Sequence, residues 1–232
     1  MQATVPPAGR RAAGSITFRV LGPLCAAVQG RQVNLGGPRQ RAVLAILLAH
    51  ANRPVSMEYI IDAVWDESPP DTAKRQVQNC VSALRRIIGD TDGRALIVAE
   101  GSGYRIRVPD GALDAAVFTE EVAAASRLAA AGQLAEAVDG LRAALGRWQG
   151  SALLGLTGRS FERAAASLDE QRLTAVELRV DLELRLGRHD ELIGELCEWV
   201  AAHPLRERLV GQLMKAMYRA GRQADALHVF QR

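Results

Sequence analysis

Cysteine, histidine and aromatic residues are all scarce in this chain, and each scarcity removes a class of function. The three cysteines, Cys25, Cys80 and Cys197, lie far apart and without CxxC spacing. Neither a disulfide framework nor a zinc site follows from them, and a reducing, cytoplasmic setting suits the sequence. Aromatic residues make up 4%, too few for a broad platform of stacked nucleobases. The four histidines, His50, His189, His203 and His228, sit on helical patterns with no HExxH or other ligand spacing, which fits helix-surface and capping roles better than a metal or catalytic centre. There is no GxSxG elbow and no GxxxxGK[ST] phosphate loop, so no enzyme and no nucleotide cofactor is expected. No apolar run approaches the roughly 18 residues of a membrane span. Residues 1–15 carry two arginines but no apolar stretch, which reads as a disordered tail rather than a secretory signal.

What remains is ordinary globular material: 232 residues, 48% hydrophobic and 24% charged, enough for one large or two modest domains with cores of their own. The net charge of +3 is unevenly divided. Residues 1–110 hold 14 Lys+Arg against 9 Asp+Glu, and the remainder holds 15 against 17. A basic half followed by a slightly acidic one suggests two domains with different partners.

In the first half, 16–28 and 32–35 are short β-branched or alternating runs split at Gly22-Pro23 and Gln29-Gly30, the signature of a small antiparallel sheet. Gly36-Gly37-Pro38 then opens a largely apolar helix over 39–50. Ser56 is placed to cap a second helix over 57–64, with Glu58 at the positive end of its dipole. Trp65, Asp66, Glu67, Ser68, Pro69, Pro70 and Asp71 form a loop stiffened by two prolines. Asp71 or Thr72 caps a third helix, which Gly89 stops. Leu96 to Ala99 and Tyr104 to Val108 flank Glu100-Gly101-Ser102-Gly103, a hairpin with glycines at its tip.

The third helix is the informative one. At 100° per residue, Val77, Cys80, Val81, Leu84 and Ile88 fall on one stripe. Arg75, Asn79, Ser82 and Arg86 fall opposite, with Gln78 and Arg85 on one shoulder and Gln76 on the other. Half of the helix calls for a core, and the other half carries the groups that contact phosphates and base edges.

A sheet, three helices and a terminal hairpin describe an α+β winged helix-turn-helix, and the strings SALRRIIG and GSGYRIRV resemble the OmpR/PhoB-type output domain. The resemblance implies that the third helix enters the major groove of double-stranded DNA and that the wing reaches the backbone or minor groove. It also implies that the loop from Trp65 to Asp71 contacts RNA polymerase. On this likeness Arg75, Gln76, Asn79, Ser82 and Arg86 face the groove with Gln78 beside them, while Lys74, Arg85 and Arg39 hold phosphates. Arginine can bond guanine, and Asn or Gln adenine, in bidentate fashion. Ser102, the Gly103 amide and Tyr104 are the wing's candidates, Tyr104 being equally suited to pack beneath the hairpin. Glu100 stands where many relatives carry a cation, and a carboxylate there repels phosphate.

From Asp114 onward strand signals vanish. Helices are expected over 114–130, 133–148, 159–186, 189–203, 205–220 and 223–232, broken at Gly132, 150–158, Gly187, Pro204 and Gly221. LGRHDELI and AGRQADAL align across the 34 residues from Gly187 to Gly221, with a less regular copy at AAGQLAEAVDGL. That is the tetratricopeptide period, in which helix pairs stack and offer a concave surface to partners. AALGRWQGSALLGL and HPLRERLVGQLMKAMYRAGRQADAL resemble the bacterial transcriptional activation domain. Fused to an OmpR-type winged helix, this order of modules is similar to the Streptomyces antibiotic regulatory protein (SARP) family. The division implied is a tail over 1–15, a DNA-binding domain over 16–110 and an all-α tetratricopeptide-like domain over 111–232, truncated at its C-terminus. The family further implies direct repeats upstream of a promoter, bound side by side by two protomers. It implies recruitment of RNA polymerase holoenzyme through its sigma factor, and control of an antibiotic or other secondary-metabolite cluster.

Overall fold

The computed structural model describes residues 16–66, 68–91 and 94–230; the expectations for residues 1–15, for Glu67 and for the last two residues lie outside them. Two compact units emerge. One runs to Ala116 and also takes in Gln149–Ala166, and the other comprises Val117–Trp148 and Ser167–Arg232. Packing therefore does not follow a single cut at residue 110, because an 18-residue stretch far down the chain belongs with the N-terminal unit.

The first unit opens with a three-stranded antiparallel sheet: β1 (Ile16–Arg19), β2 (Cys25–Val28) and β3 (Arg31–Gln32). Ile16 and Phe18 are buried while Thr17 and Arg19 are exposed, the alternation of a half-covered strand. The β2–β3 turn places Gln29 and Gly30 at φ 51° and 77°, the paired positive φ of a tight hairpin. β3 is shorter than the sequence suggests. Asn34 and Gly36 leave the ladder for a local turn in which the Gly36 N–H donates to Asn34 Oδ1 at 2.9 Å. Helix α1 (Pro38–Ala49) follows, with residues 42–48 all buried, so it is the central helix of the unit rather than an amphipathic one. Its start is closed by Gln40, whose Oε1 accepts from the Gly37 N–H at 2.9 Å.

Strand β4 (Val55–Ser56) leads into α2 (Met57–Trp65), and Ser56 caps that helix by accepting from the Tyr59 N–H at 3.2 Å. Helix α3 (Ala73–Ile88) comes next, ending at Gly89 with φ 67°. After a two-strand ribbon, β5 (Asp90–Thr91) and β6 (Arg94–Ala95), the wing is formed by β7 (Ile97–Glu100) and β8 (Gly103–Ile106). β4 joins it, giving the order β4-β8-β7. Gly103 makes that third strand possible, since a Cβ there would fall 1.8 Å from the Val55 carbonyl oxygen.

The chain segment Val20 to Gly22 shows why the later stretch belongs here. Val20 and Leu21 N–H groups donate to the Asp114 carboxylate at 2.9 and 3.1 Å. The carbonyls of Val20, Leu21 and Gly22 accept from Leu153, Gln149 and Leu154 at 2.9, 2.8 and 3.1 Å. Backbone groups that would be orphaned at the end of β1 are satisfied only by residues about 90 to 130 positions away. Burial pushes the Asp114 carboxyl above the ordinary aspartate range, against the pull of its N–H donors.

The second unit is all helical. It draws on α4 (Asp114–Ala130), α5 (Leu134–Leu145), α6 (Arg159–Arg185), α7 (His189–Ala202), α8 (Glu207–Arg219) and α9 (Gln223–Phe230). Its core gathers Val176, Val180 and Leu184 of α6, Leu196 of α7 and Leu209 and Leu213 of α8. The three glycines picked out by the repeat pattern end helices in one and the same way. Gly132, Gly187 and Gly221 have φ of 82°, 82° and 76°. The residue after each donates back to the carbonyl five positions earlier (Gln133 to Leu128, Arg188 to Glu183, Arg222 to Met217, at 3.0, 3.0 and 2.8 Å), while the glycine N–H donates three positions back. This is the Schellman turn, which glycine enters without a Cβ penalty.

Charge is buried here too. The Glu183 side chain is 0% exposed and lies between Arg142 at 2.6 Å and Arg179 at 3.1 Å. Arg179 also pairs with Glu195, whose carboxyl is held below the usual glutamate range: burial, the largest influence, raises it, and the Arg179 and Trp199 hydrogen bonds outweigh that. Arg206 reaches Glu177 and Glu170, at 2.7 and 2.6 Å, and both contacts raise its pKa further.

Candidate nucleic-acid interface

Helix α3 owes its placement to its inner stripe. Ala73, Val77, Cys80, Val81, Leu84 and Ile88 are buried, packed toward α1 and α2, which leaves Lys74, Arg75, Gln78, Asn79, Ser82, Arg85 and Arg86 exposed. The stripe read from the sequence is thus the buried one, extended by one turn to Ala73. On the outer face Arg75, Asn79, Ser82 and Arg86 recur at one-turn spacing along about 16 Å of helix. Among the described residues Lys74, Arg75 and Arg86 form no ion pair, so their charge is directed to solvent.

Other positions are more committed than their place on the helix suggests. Gln76 is half-buried, and its amide donates to Thr72 Oγ1 at 2.9 Å, which ties down the first turn. Ser82 donates its hydroxyl to the Gln78 carbonyl at 2.9 Å, leaving its oxygen as an acceptor. Arg85 Nε donates to the Ile97 carbonyl at 2.9 Å, and its guanidinium lies 5.9 Å from the Tyr104 ring centroid. Arg85 therefore fastens α3 to the wing, and Tyr104, half-buried, is the surface it rests on. An open cleft of about 690 Å3 lies between residues 37–40 at the start of α1 and Gln76, Asn79, Cys80 and Ala83 of α3.

At the wing, the tip consists of exposed Gly101 and Ser102, and the Ser102 carbonyl accepts from the Met57 N–H at 3.2 Å. Gly103 is not part of the tip. It is buried between Ser56 and Glu100 in the sheet register, so its amide is a structural group. Glu100 does not stand as an isolated carboxylate, because Arg105 donates to it. Sequence spacing alone does not single out Arg105; its signal is the diagonal placement of Glu100 and Arg105 on one face of the hairpin.

The loop before α3 divides at Trp65. Trp65 is half-buried, with the Arg39 guanidinium 5.7 Å from its ring centroid, so Arg39 and Trp65 tie the start of α1 to the end of α2. Asp66 takes φ 49°, and Gly158 lies so close that a Cβ there would be 3.1 Å from Asp66 Oδ2. Ser68, Pro69, Pro70 and Asp71 are exposed. The Pro70 carbonyl accepts from the Ala73 N–H at 2.8 Å, launching α3. Of the histidines, His50 lies 3.3 Å from the Tyr59 hydroxyl, and burial followed by Arg53 lowers its pKa. No group of three or more His, Cys, Asp or Glu able to hold a metal occurs among the described residues, nor is any helix there long and apolar enough to cross a membrane.

Comparison with known proteins gives this arrangement relatives. The family described as "Transcriptional regulatory protein, C terminal" matches residues 30–106, and "Bacterial transcriptional activator domain" matches residues 113–232. Regulatory protein AfsR of Streptomyces coelicolor is 41% identical over 225 residues, covering 97% of this chain and 22% of AfsR. Regulatory protein DnrI of Streptomyces peucetius is 32% identical, covering 92% of this chain and 81% of DnrI. A solved structure of EmbR from Mycobacterium tuberculosis, in complex with a low-affinity phosphopeptide, superposes with a TM-score of 0.87 at 38% identity, covering 93% of this chain and 58% of EmbR. The chain thus spans about a fifth of AfsR and somewhat over half of EmbR.

Proposed function

Since the chain belongs to the Streptomyces antibiotic regulatory protein family of DNA-binding transcription regulators, which are not enzymes, we propose that it binds direct repeats upstream of a promoter and activates transcription there. The observation that carries this reading is the two-sided build of α3, apolar residues locked inward and Arg75, Asn79, Ser82 and Arg86 outward, fastened to a wing by Arg85. Arg75, Arg86 and Asn79 read base edges in the major groove, with Gln78 and Ser82 beside them. Lys74 holds a backbone phosphate, as do Arg39 and Arg85 with whatever donors their contacts to Trp65 and Ile97 leave over. Gln76 acts from the floor of the cleft, and Ser102 is the wing's backbone contact. Two protomers bind tandem half-sites side by side. Residues Asp66 and Ser68 to Asp71, with Trp65 as their anchor, meet RNA polymerase holoenzyme with its sigma factor, and the helical unit adds a further protein-binding surface. The regulated genes form an antibiotic or other secondary-metabolite cluster, and the site of action is the cytoplasm.

The test is retention of the promoter fragment of the neighbouring genes. The doubly substituted Arg75→Ala, Arg86→Ala chain is expected to bind it about a hundredfold more weakly, given roughly 1–3 kcal/mol for each good base contact, with an unchanged melting temperature. Unchanged affinity sinks the assignment of α3. Replacing Ser68 to Asp71 by Gly and Ser is expected to leave binding intact and abolish transcription in a purified system. Loss of DNA binding there would refute the division of labour.

A further inference from the structure

Glu100 ends β7 and Arg105 stands in the middle of β8. The register opposes Val98 to Arg105 and Glu100 to Gly103, so Val98, Glu100 and Arg105 share one face of the hairpin, while Ile97, Tyr104 and Ile106 take the other. On the first face Arg105 Nη2 donates to Glu100 Oε1. The two side chains are 32% and 36% exposed, and Arg105 Nε is buried with no acceptor among the described residues. The opposite face holds Arg85, which is bonded to the Ile97 carbonyl. Arg105 is thus a cation close to the exposed tip, Gly101 and Ser102, and a carboxylate two residues before Ser102 offsets its charge.

We propose that Glu100 limits the chain's sequence-independent affinity for DNA by holding Arg105 off the DNA backbone. This inference rests on the reading of the first unit as DNA-binding. A phosphate and a carboxylate compete for the same guanidinium fork, and while Glu100 occupies it the wing makes no phosphate contact through Arg105. Phosphate contacts raise affinity for every sequence alike, whereas base contacts separate one sequence from another. By withholding one backbone contact, Glu100 lowers binding to promoter and unrelated DNA by the same factor and leaves discrimination to the outer face of α3. The pair is partly exposed and therefore of modest strength, so loss of the Glu100 charge is enough to free the cation for a phosphate.

The experiment compares the wild-type chain with Glu100→Gln, Arg105→Gln and the double variant on the promoter fragment and on a random fragment of equal length, between 50 and 200 mM salt. Circular dichroism and melting temperature establish that all four are folded. Glu100→Gln is expected to bind both fragments about three- to tenfold more tightly at the lowest salt, and its log–log salt slope steepens by about 0.9, the signature of one added phosphate. Arg105→Gln stays within about twofold of wild type, and Glu100→Gln made on top of it brings no gain and no change of slope, because the released cation is missing. The inference is overturned if Glu100→Gln gives the same gain without Arg105, which would mean simple repulsion by the carboxylate. It is equally overturned if Glu100→Gln changes nothing while wild type still prefers the promoter. If wild type shows no preference for the promoter and Arg75→Ala, Arg86→Ala changes nothing, the DNA-binding reading itself has failed and this inference falls with it.

Discussion

Helices α3 and α6 are both rich in arginine, yet they use it in opposite ways. On α3, Lys74, Arg75 and Arg86 make no ion pair among the described residues and face water. On α6, Arg179 is buried between Glu183 and Glu195, and the helix's own Glu177 and Glu183 are met by Arg206, at the N-cap of α8, and Arg142 of α5. An unpaired surface cation costs little to keep and stays available to a polyanion. A buried charge is tolerable only when its partners are in place. The difference separates a surface whose charge faces solvent from an interior in which charge is matched helix to helix.

The sharpest way to break this comparison is to remove charge from each side in turn. Arg179→Ala removes one of two cations from buried Glu183 and the hydrogen bond to Glu195, and the helical unit is expected to lose about 3 kcal/mol or more of unfolding free energy, at roughly 1.5–3 kcal/mol for each charge-assisted hydrogen bond. Denaturant melts read this directly, and a loss below about 1 kcal/mol would show that the buried network is dispensable. The Arg75 and Arg86 substitutions above should do the reverse, costing binding and no stability. Next in size is Asp114→Ala, which strips the Val20 and Leu21 N–H groups of their acceptor and is expected to destabilise the first unit by about 2–3 kcal/mol, at roughly 1–3 kcal/mol for each unsatisfied buried group. Asp114→Asn keeps one accepting oxygen and should recover part of that loss; equal loss in both variants would point to the charge instead. The smallest effect belongs to Lys74→Ala. It is expected to weaken promoter and random DNA alike by about threefold and to flatten the salt slope by about 0.9. A change confined to the promoter would make Lys74 a base reader.

Local features are legible in the sequence itself. The inner stripe of α3, the Ser56 cap and the glycines at 132, 187 and 221 are properties of neighbouring residues along one element, and helix periodicity or positive φ reveals them. Features that depend on distant partners are not. β4 is two residues long, Val55 and Ser56, too short for any alternation to show, and only the glycine at 103 lets it pair with β8. The helical wheel puts Arg85 on a shoulder of α3 but does not reveal that its Nε bonds a strand twelve residues later. The meeting of Glu100 with Arg105 depends on hairpin register, which sequence spacing alone does not fix. The stretch from Gly150 to Gly158 reads as a break between helices; the backbone hydrogen bonds of Gln149, Leu153 and Leu154 to residues 20–22 leave no compositional trace.

Those bonds have a consequence for the order in which the protein is made. Residues 20–22 leave the ribosome about 130 residues before Gln149, Leu153 and Leu154, which complete their hydrogen bonding. At roughly 5–20 residues per second that delay is on the order of ten seconds. All of residues 117–148, which belong to the other unit, are synthesised in the interval. The first unit therefore waits for its own distant segment while a stretch of the other unit is made, and nascent chains halted before residue 149 should lack a finished first unit although every residue of α3 and the wing is already present.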